Sequence, residues 1–142
     1  MERKFEIIGV PMGKQRPRFS KKGKFVSVVT PDKTVNYETW ALSCYMEEFG
    51  HFDKMEGPLD ISIRSYYPIP KKYQKPKYME LILAEKLFPL VKPDVDNVSK
   101  IILDALNKYA YDDDKQAIDL HTSKRYGVIP RVVVTIRTVE VD

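Results

Sequence analysis

A chain of 142 residues is long enough to bury one core and too short for two ordinary ones. With 43% hydrophobic and 31% charged residues it is not a disordered chain, and a lone cysteine, Cys44, excludes an intramolecular disulfide. The net charge of +4 and a pI near 9.0 favour a polyanionic partner. The charged start Met1-Glu2-Arg3-Lys4 and the lack of a long apolar run argue against a signal peptide or membrane span, and for the cytoplasm.

In chain order, Lys4 to Val10 predicts a short strand ending at Gly9 and Pro11. Met12 to Lys24 is polar, basic and broken by glycine and proline, so a loop is expected there, followed by a short strand over Phe25 to Val29. Tyr37, Trp40, Ala41, Cys44, Tyr45 and Phe49 have helical spacing within Asn36 to Phe49, with Gly50 as the stop; Cys44 reads as a small packing residue. Leu59, Ile61 and Ile63 alternate with Asp60, Ser62 and Arg64, the period of a strand buried on one face, which Pro68 and Pro70 end at Tyr67. Residues 71 to 78 are basic and aromatic, and Met79 to Leu87 reads helical.

Pro89 and Pro93 then force extended backbone into an acidic stretch. Val98, Ile101, Ile102, Ala105, Leu106 and Tyr109 recur three and four apart, predicting an amphipathic helix with Asp96 or Asn97 as its N-cap. Ala117 to Tyr126 and Arg131 to Val139 read as two strands joined across Gly127 to Pro130 as a hairpin. The fold class expected is α+β: one domain over residues 1–142, a mixed, partly antiparallel sheet with helices packed on it.

Charge is distributed unevenly. Residues 94 to 119 hold seven aspartates (Asp94, Asp96, Asp104, Asp112, Asp113, Asp114 and Asp119) against Lys100, Lys108 and Lys115. That local balance of −4 leaves +8 for the remainder of a chain whose total is +4. An acidic cluster in a basic protein suits a divalent cation held against a polyanion, since hard cations take oxygen ligands and share their shell with phosphate oxygens. Ordinary explanations also exist: an N-cap aspartate, an Asp/Lys pair one helical turn apart for Asp104 or Lys100, a solvated turn for Asp112 to Asp114. Asp94 and Asp96 match the first two ligands of a calcium-binding EF-hand loop, but Val98 and Ser99 occupy its third-ligand and glycine positions, excluding it. Zinc has little support, because His51 and His121 are far apart and no second cysteine exists.

The run Lys92-Pro93-Asp94-x-Asp96-Asn97-x-x-Lys100, continued by Leu103-Asp104-Ala105-Leu106 and Asp113-Asp114-x-Gln116, resembles the RusA family of Holliday junction resolvases. The opening Pro11-x-Gly13-Lys14-Gln15-Arg16-Pro17-Arg18 looks like that of family members in Gram-positive bacteria and their phages. The resemblance implies a homodimeric, Mg²⁺-dependent endonuclease, with Mn²⁺ as a substitute, acting on branched DNA and nicking four-way junctions in recombination and repair. Asp94, Asp96 and Asp114 stand in the places of the family's catalytic, metal-binding aspartates and Lys100 in that of its catalytic lysine. The Asp-Asp-x-Gln frame ending at Gln116 selects Asp114 over Asp113; Gln116 itself reads as structural, Asn97 as a cap or a group orienting a ligand.

Candidate DNA-binding residues lie elsewhere. Lys14, Arg16, Arg18, Lys21, Lys22 and Lys24 give six positive charges between positions 11 and 24 without an acid, a segment suited to phosphates or simply to solubility. Lys71, Lys72, Lys75 and Lys77, interleaved with Tyr73 and Tyr78, form a second surface in which the tyrosines either stack on bases or pack internally. Two competing functions remain at this level: a nuclease for flaps or duplex ends, and a noncatalytic nucleic-acid-binding module. A dimer interface is expected on apolar helix surface near Trp40 or Ile101.

Overall fold

The computed structural model describes residues 1–15, 18–22, 25–29, 32–51 and 53–141, with backbone only for 18–22 and 25–29. In order, these form β1 (Glu2–Ile8), β2 (Arg18–Lys22), β3 (Phe25–Val29), α1 (Asp32–Phe49), β4 (Leu59–Tyr67), α2 (Pro76–Leu83), α3 (Val95–Leu106), β5 (Ala117–Tyr126) and β6 (Arg131–Thr138). Four strands make one sheet in the order β1-β6-β4-β5. β6 is antiparallel to both β1 and β4, and β5 runs parallel to β4 along the edge. This is the single-domain α+β arrangement that the sequence predicts.

The alternation in β4 has the expected effect: Leu59, Ile61, Ile63, Ser65 and Tyr67 are all buried. With Phe5 and Ile7 of β1 and Val132, Val134 and Ile136 of β6, Leu59, Ile61 and Ile63 meet Val98, Ile101, Ile102 and Leu106 of α3 and Tyr37, Ala41 and Tyr45 of α1. Burial of so many large side chains, each contributing about 1.5–3 kcal/mol, makes this face the principal source of stability. Ile101 is fully buried within it, so it is a core residue and not available to a dimer interface; Trp40 is half-exposed, its indole donating to the Ile8 carbonyl at 2.8 Å. Tyr67, Ile82 and Tyr126 form a smaller cluster under α2.

Several boundaries differ from expectation. Residues Arg18–Lys22, placed in a loop, form β2, antiparallel to β3 with Arg18 opposite Val29 and Lys22 opposite Phe25. The valine-rich β3 is a good partner, and pairing overrides the polar composition of β2. α1 begins four residues early, at Asp32, and α2 begins at Pro76, where a proline costs no hydrogen bond. α2 ends at Leu83 rather than Leu87, with Glu85 in the left-handed region at φ 55°. α3 likewise ends at Leu106 rather than Tyr109, with Lys108 at φ 74°.

β5 and β6 are not a hairpin. β4 lies between them, and Gly127 carries the connection over its end, donating to the Tyr67 carbonyl at 2.9 Å. A Cβ on Gly127 would stand 2.8 Å from the Tyr66 Cβ, so the close crossing needs glycine. The four residues from Gly127 to Pro130 reach about 13 Å, enough to step across one strand. No helix of the described residues is long and apolar enough to cross a membrane.

Candidate active site

α3 begins two residues earlier than the apolar pattern suggests: the N-cap is Asp94, extended at φ −75° and ψ 159°, with Asp96 in the first turn. Neither Asp96 nor Asn97 is the cap. The Asp94 side chain makes no capping bond; its Oδ1 instead accepts from Asn97 Nδ2 at 2.9 Å. Asn97 is thus the group that orients the neighbouring carboxylate. Hydrogen bonding to its own backbone N–H, then to Asn97, with the field of Lys124, holds the Asp94 carboxyl below the usual range.

Steps of four along α3 set Asp96, Lys100 and Asp104 on one surface, about 12 Å long at 1.5 Å per residue. After Leu106 the chain reverses, β5 runs back beside α3, and an open cavity of about 270 Å³ forms between them. Its walls carry Asp96, Lys100 and Asp104 from α3, Asp114 from the reversal, and Leu120 and Thr122 from β5. Asp114 therefore returns to the helix surface that carries Asp96 and Lys100. Asp94 stands outside this wall, at the helix N-terminus.

The acidic triplet divides into three roles. Asp112 is exposed and pairs with Lys54 at 3.0 Å. Asp113 caps the 3-10 turn Asp114–Gln116: its Oδ1 accepts from Lys115 N at 2.9 Å, and Gln116 answers by accepting from Asp113 N at 3.1 Å. Gln116 Nε2 also donates to the Met55 and Gly57 carbonyls at 3.1 and 3.0 Å, a structural anchor for the turn. Asp114 makes no ion pair within 4 Å among the described residues and faces the cavity. Desolvation, then Asp113 and Asp104, raise its carboxyl above the ordinary range, while the Lys115 N–H, more than any other group, lowers that of Asp113.

Lys100 makes no ion pair within 4 Å among the described residues, so the pairing with Asp96 or Asp104 one turn away is not formed. Asp104 is matched instead by Lys14, whose Nζ lies 3.1 Å from Asp104 Oδ2 and 2.6 Å from Glu38 Oε1 of α1. Burial works to lower the Lys14 ammonium, but hydrogen bonds and charge from Glu38 and Asp104 outweigh it and the group is raised. Lys14, expected to grip DNA, is thereby largely neutralised within the protein. Its backbone N–H donates to the Asn97 carbonyl at 3.1 Å, and the preceding Gly13 lies so close that an added Cβ would be 2.9 Å from Pro93 Cβ.

Of the other candidate contacts, Arg16 and Lys24 fall outside the described residues, and Arg18, Lys21 and Lys22 are described as β2 backbone only. Lys71, Lys72 and Lys75 are exposed around the start of α2. Tyr73 packs 5.0 Å from Tyr78 and 6.1 Å from Tyr126, with Lys72 and Lys77 over the Tyr73 and Tyr78 rings, so these tyrosines belong to packing. Three residues that sequence reasoning did not single out touch the backbone leading into α3: Tyr67, Thr122 and Lys124. Their only sequence signal is strand parity, which puts them on the helix-covered face without saying what they meet.

Carboxylate oxygens are ligands that suit a hard divalent cation, and a free lysine beside them suits a phosphate. Among the described residues no three His, Cys, Asp or Glu side chains converge on one metal position; the aspartates surround a cavity instead. The class the structure defines is a single-domain α+β protein with a mixed sheet, an acidic helix edge and a lysine unpaired among the described residues. The chain matches the family model described as endodeoxyribonuclease RusA over residues 9–137, and it belongs to that family of endodeoxyribonucleases. It is also 36% identical over 138 residues to the uncharacterized protein YqaN of Bacillus subtilis (strain 168), covering 96% of each chain.

Proposed function

We propose that this protein is a Mg²⁺-dependent endonuclease that resolves four-way (Holliday) DNA junctions by paired symmetric nicks, acting as a cytoplasmic homodimer in recombination and repair. The observation that carries the reading is the placement of Asp96, Lys100 and Asp114 around one cavity beside the Asp94 helix cap, in a chain of the RusA family. Asp94, Asp96 and Asp114 would hold the cation; Mn²⁺ offers a similar charge and oxygen preference. Mg²⁺, when bound, would screen phosphate charge and make a nearby water more acidic.

Hydrolysis adds water to phosphorus and breaks the bond to one bridging oxygen, which leaves with a proton. Negative charge grows on the phosphoryl oxygens and the leaving oxygen, and the unpaired Lys100 ammonium supplies a fixed positive charge there. Asn97 keeps the Asp94 carboxylate in one orientation, which reduces reorganisation as charge develops. Exposed Lys71, Lys72 and Lys75, with Arg16, Arg18, Lys21 and Lys22, supply the remaining positive charge for backbone phosphates.

Cutting of labelled four-way junction, flap, fork and linear duplex DNA in Mg²⁺ tests the substrate. Paired nicks confined to the junction are expected. Preferential cutting of flaps or duplex ends overturns the junction assignment, and binding without scission overturns the enzymatic one.

A further inference from the structure

The segment from Val91 to Asn97 contains both Asp94 and Asp96, and alternate carbonyls along it accept hydrogen bonds from outside the segment. Lys124 Nζ donates to Val91 O at 2.8 Å and the Tyr67 hydroxyl donates to Pro93 O. Thr122 Oγ1 reaches Val95 O at 3.4 Å, and Lys14 N reaches Asn97 O at 3.1 Å. These donors come from β4, β5 and the chain after β1, elements far apart in sequence.

The placement of Lys124 is unusual for its residue type. It pairs with buried Ser65 in the β4–β5 register, on the face where Thr122 and Leu120 line the cavity with α3. A lysine on the helix side of a sheet needs a partner to offset its desolvation. Here the ammonium has the Val91 carbonyl and lies 5.3 Å from the centroid of the Tyr67 ring. Tyr67 is itself 2% exposed, and its hydroxyl ends on the peptide that joins Pro93 to Asp94. Its phenol is pushed up to about 12, by burial first and by the Asp94 charge second, which keeps the hydroxyl a donor. The two side chains therefore act together, one stacked on the other, on carbonyls either side of Lys92.

We propose that Tyr67 and Lys124 are positioning residues for Asp94 and Asp96: by holding the Val91 and Pro93 carbonyls they set where the two carboxylates stand relative to Lys100 and Asp114. The inference rests on the nuclease reading above. Pro93 has no amide hydrogen, and Asp94 as N-cap has lost the helical ladder on its N-terminal side, so the backbone here has few bonds of its own. Without outside donors its position would be soft, and a metal ligand displaced by even about 1 Å loses much of its value.

The test compares Tyr67→Phe, Lys124→Met and Lys124→Arg with wild type and Asp94→Asn, all as full chains. Amide hydrogen exchange over residues 94–98 is followed in metal-free protein, Mn²⁺ affinity by calorimetry, and kcat and KM on a four-way junction. Tyr67→Phe and Lys124→Met should speed exchange over 94–98, weaken Mn²⁺ about tenfold and lower kcat about tenfold, with KM for DNA within about twofold. Lys124→Arg, which can still donate to Val91 O, should recover most of the loss. Variants that match wild type in exchange, Mn²⁺ affinity and kcat refute the inference while an active wild type leaves the nuclease reading intact. A wild type that neither binds Mn²⁺ nor cuts refutes both.

Discussion

At the scale of single residues, geometry separates side chains that composition makes alike. Asp94→Asn, Asp96→Asn and Asp114→Asn should each lower junction cutting by at least about a hundredfold while leaving binding equal or slightly tighter, since each removes an oxygen ligand and a charge that repels phosphate. Lys100→Ala should lower kcat with little change in KM, as expected for a cation that serves the transition state. Asp113→Asn should lower the melting temperature, because Asp113 caps the turn, yet retain cutting. An inactive, normally stable Asp113→Asn beside an active Asp114→Asn would reverse the assignment of the two. Asp114 also carries a stability signature. Its folded carboxyl sits above its unfolded value, so the folded state binds the proton more tightly and loses stability as pH rises through the raised range. Asp114→Asn should therefore raise the melting temperature of metal-free protein slightly at pH 7, and the gain should vanish once the pH falls below the ordinary carboxylate range. Thermal melts at both pH values measure this directly.

At the scale of elements, the contact to probe is that between the chain after β1 and α3. Gly13→Ala places a Cβ 2.9 Å from Pro93 Cβ and 3.2 Å from Asn97 Cβ, so one side must move. Slower cutting with little change in DNA affinity is expected, and an unchanged kcat would show that the contact is slack. Lys14→Met leaves Glu38 and Asp104 without their shared cation. A double-mutant cycle of Lys14→Met with Glu38→Gln should give a coupling of about 1 kcal/mol by urea unfolding. Neutralising Arg16, Arg18 and Lys22 tests the basic segment between positions 11 and 24. The slope of log affinity against log salt should flatten by up to about 2.7, at roughly 0.9 for each duplex phosphate no longer neutralised, and an unchanged slope would assign these charges to solubility.

At the scale of the whole molecule, the proposed reaction would give one nick per acidic constellation and so one per chain, whereas resolving a four-way junction takes two nicks in strands related by a two-fold axis. A symmetric homodimer supplies both. Light scattering at micromolar concentration should report about twice 16.6 kDa. Mixed dimers of wild type and Asp94→Asn should leave singly nicked junctions, and a strict monomer that makes paired cuts would overturn the argument. Ile101 is buried, so half-exposed Trp40 is the position of the expected interface to examine by substitution.

The sequence by itself determined the elements whose periodicity is strong and local: β4 from Leu59 to Tyr67 and the apolar stripe of α3 from Val98 to Leu106, because a buried face imposes its period on the chain. It also determined the acidic motif, since spacing of four along a helix fixes a shared surface for Asp96 and Lys100 whatever packs beneath. Only the tertiary structure decided that β4 separates β5 from β6, that Arg18–Lys22 is a strand, that Asp104 pairs with Lys14 and that Asp114 returns to the cavity. Period two reveals which side of a strand is buried but not its neighbour, and a charge pattern names ions but not their partners. Both depend on contacts between residues far apart in sequence, such as Lys14 with Asp104 or Lys124 with Val91, which no local spacing records.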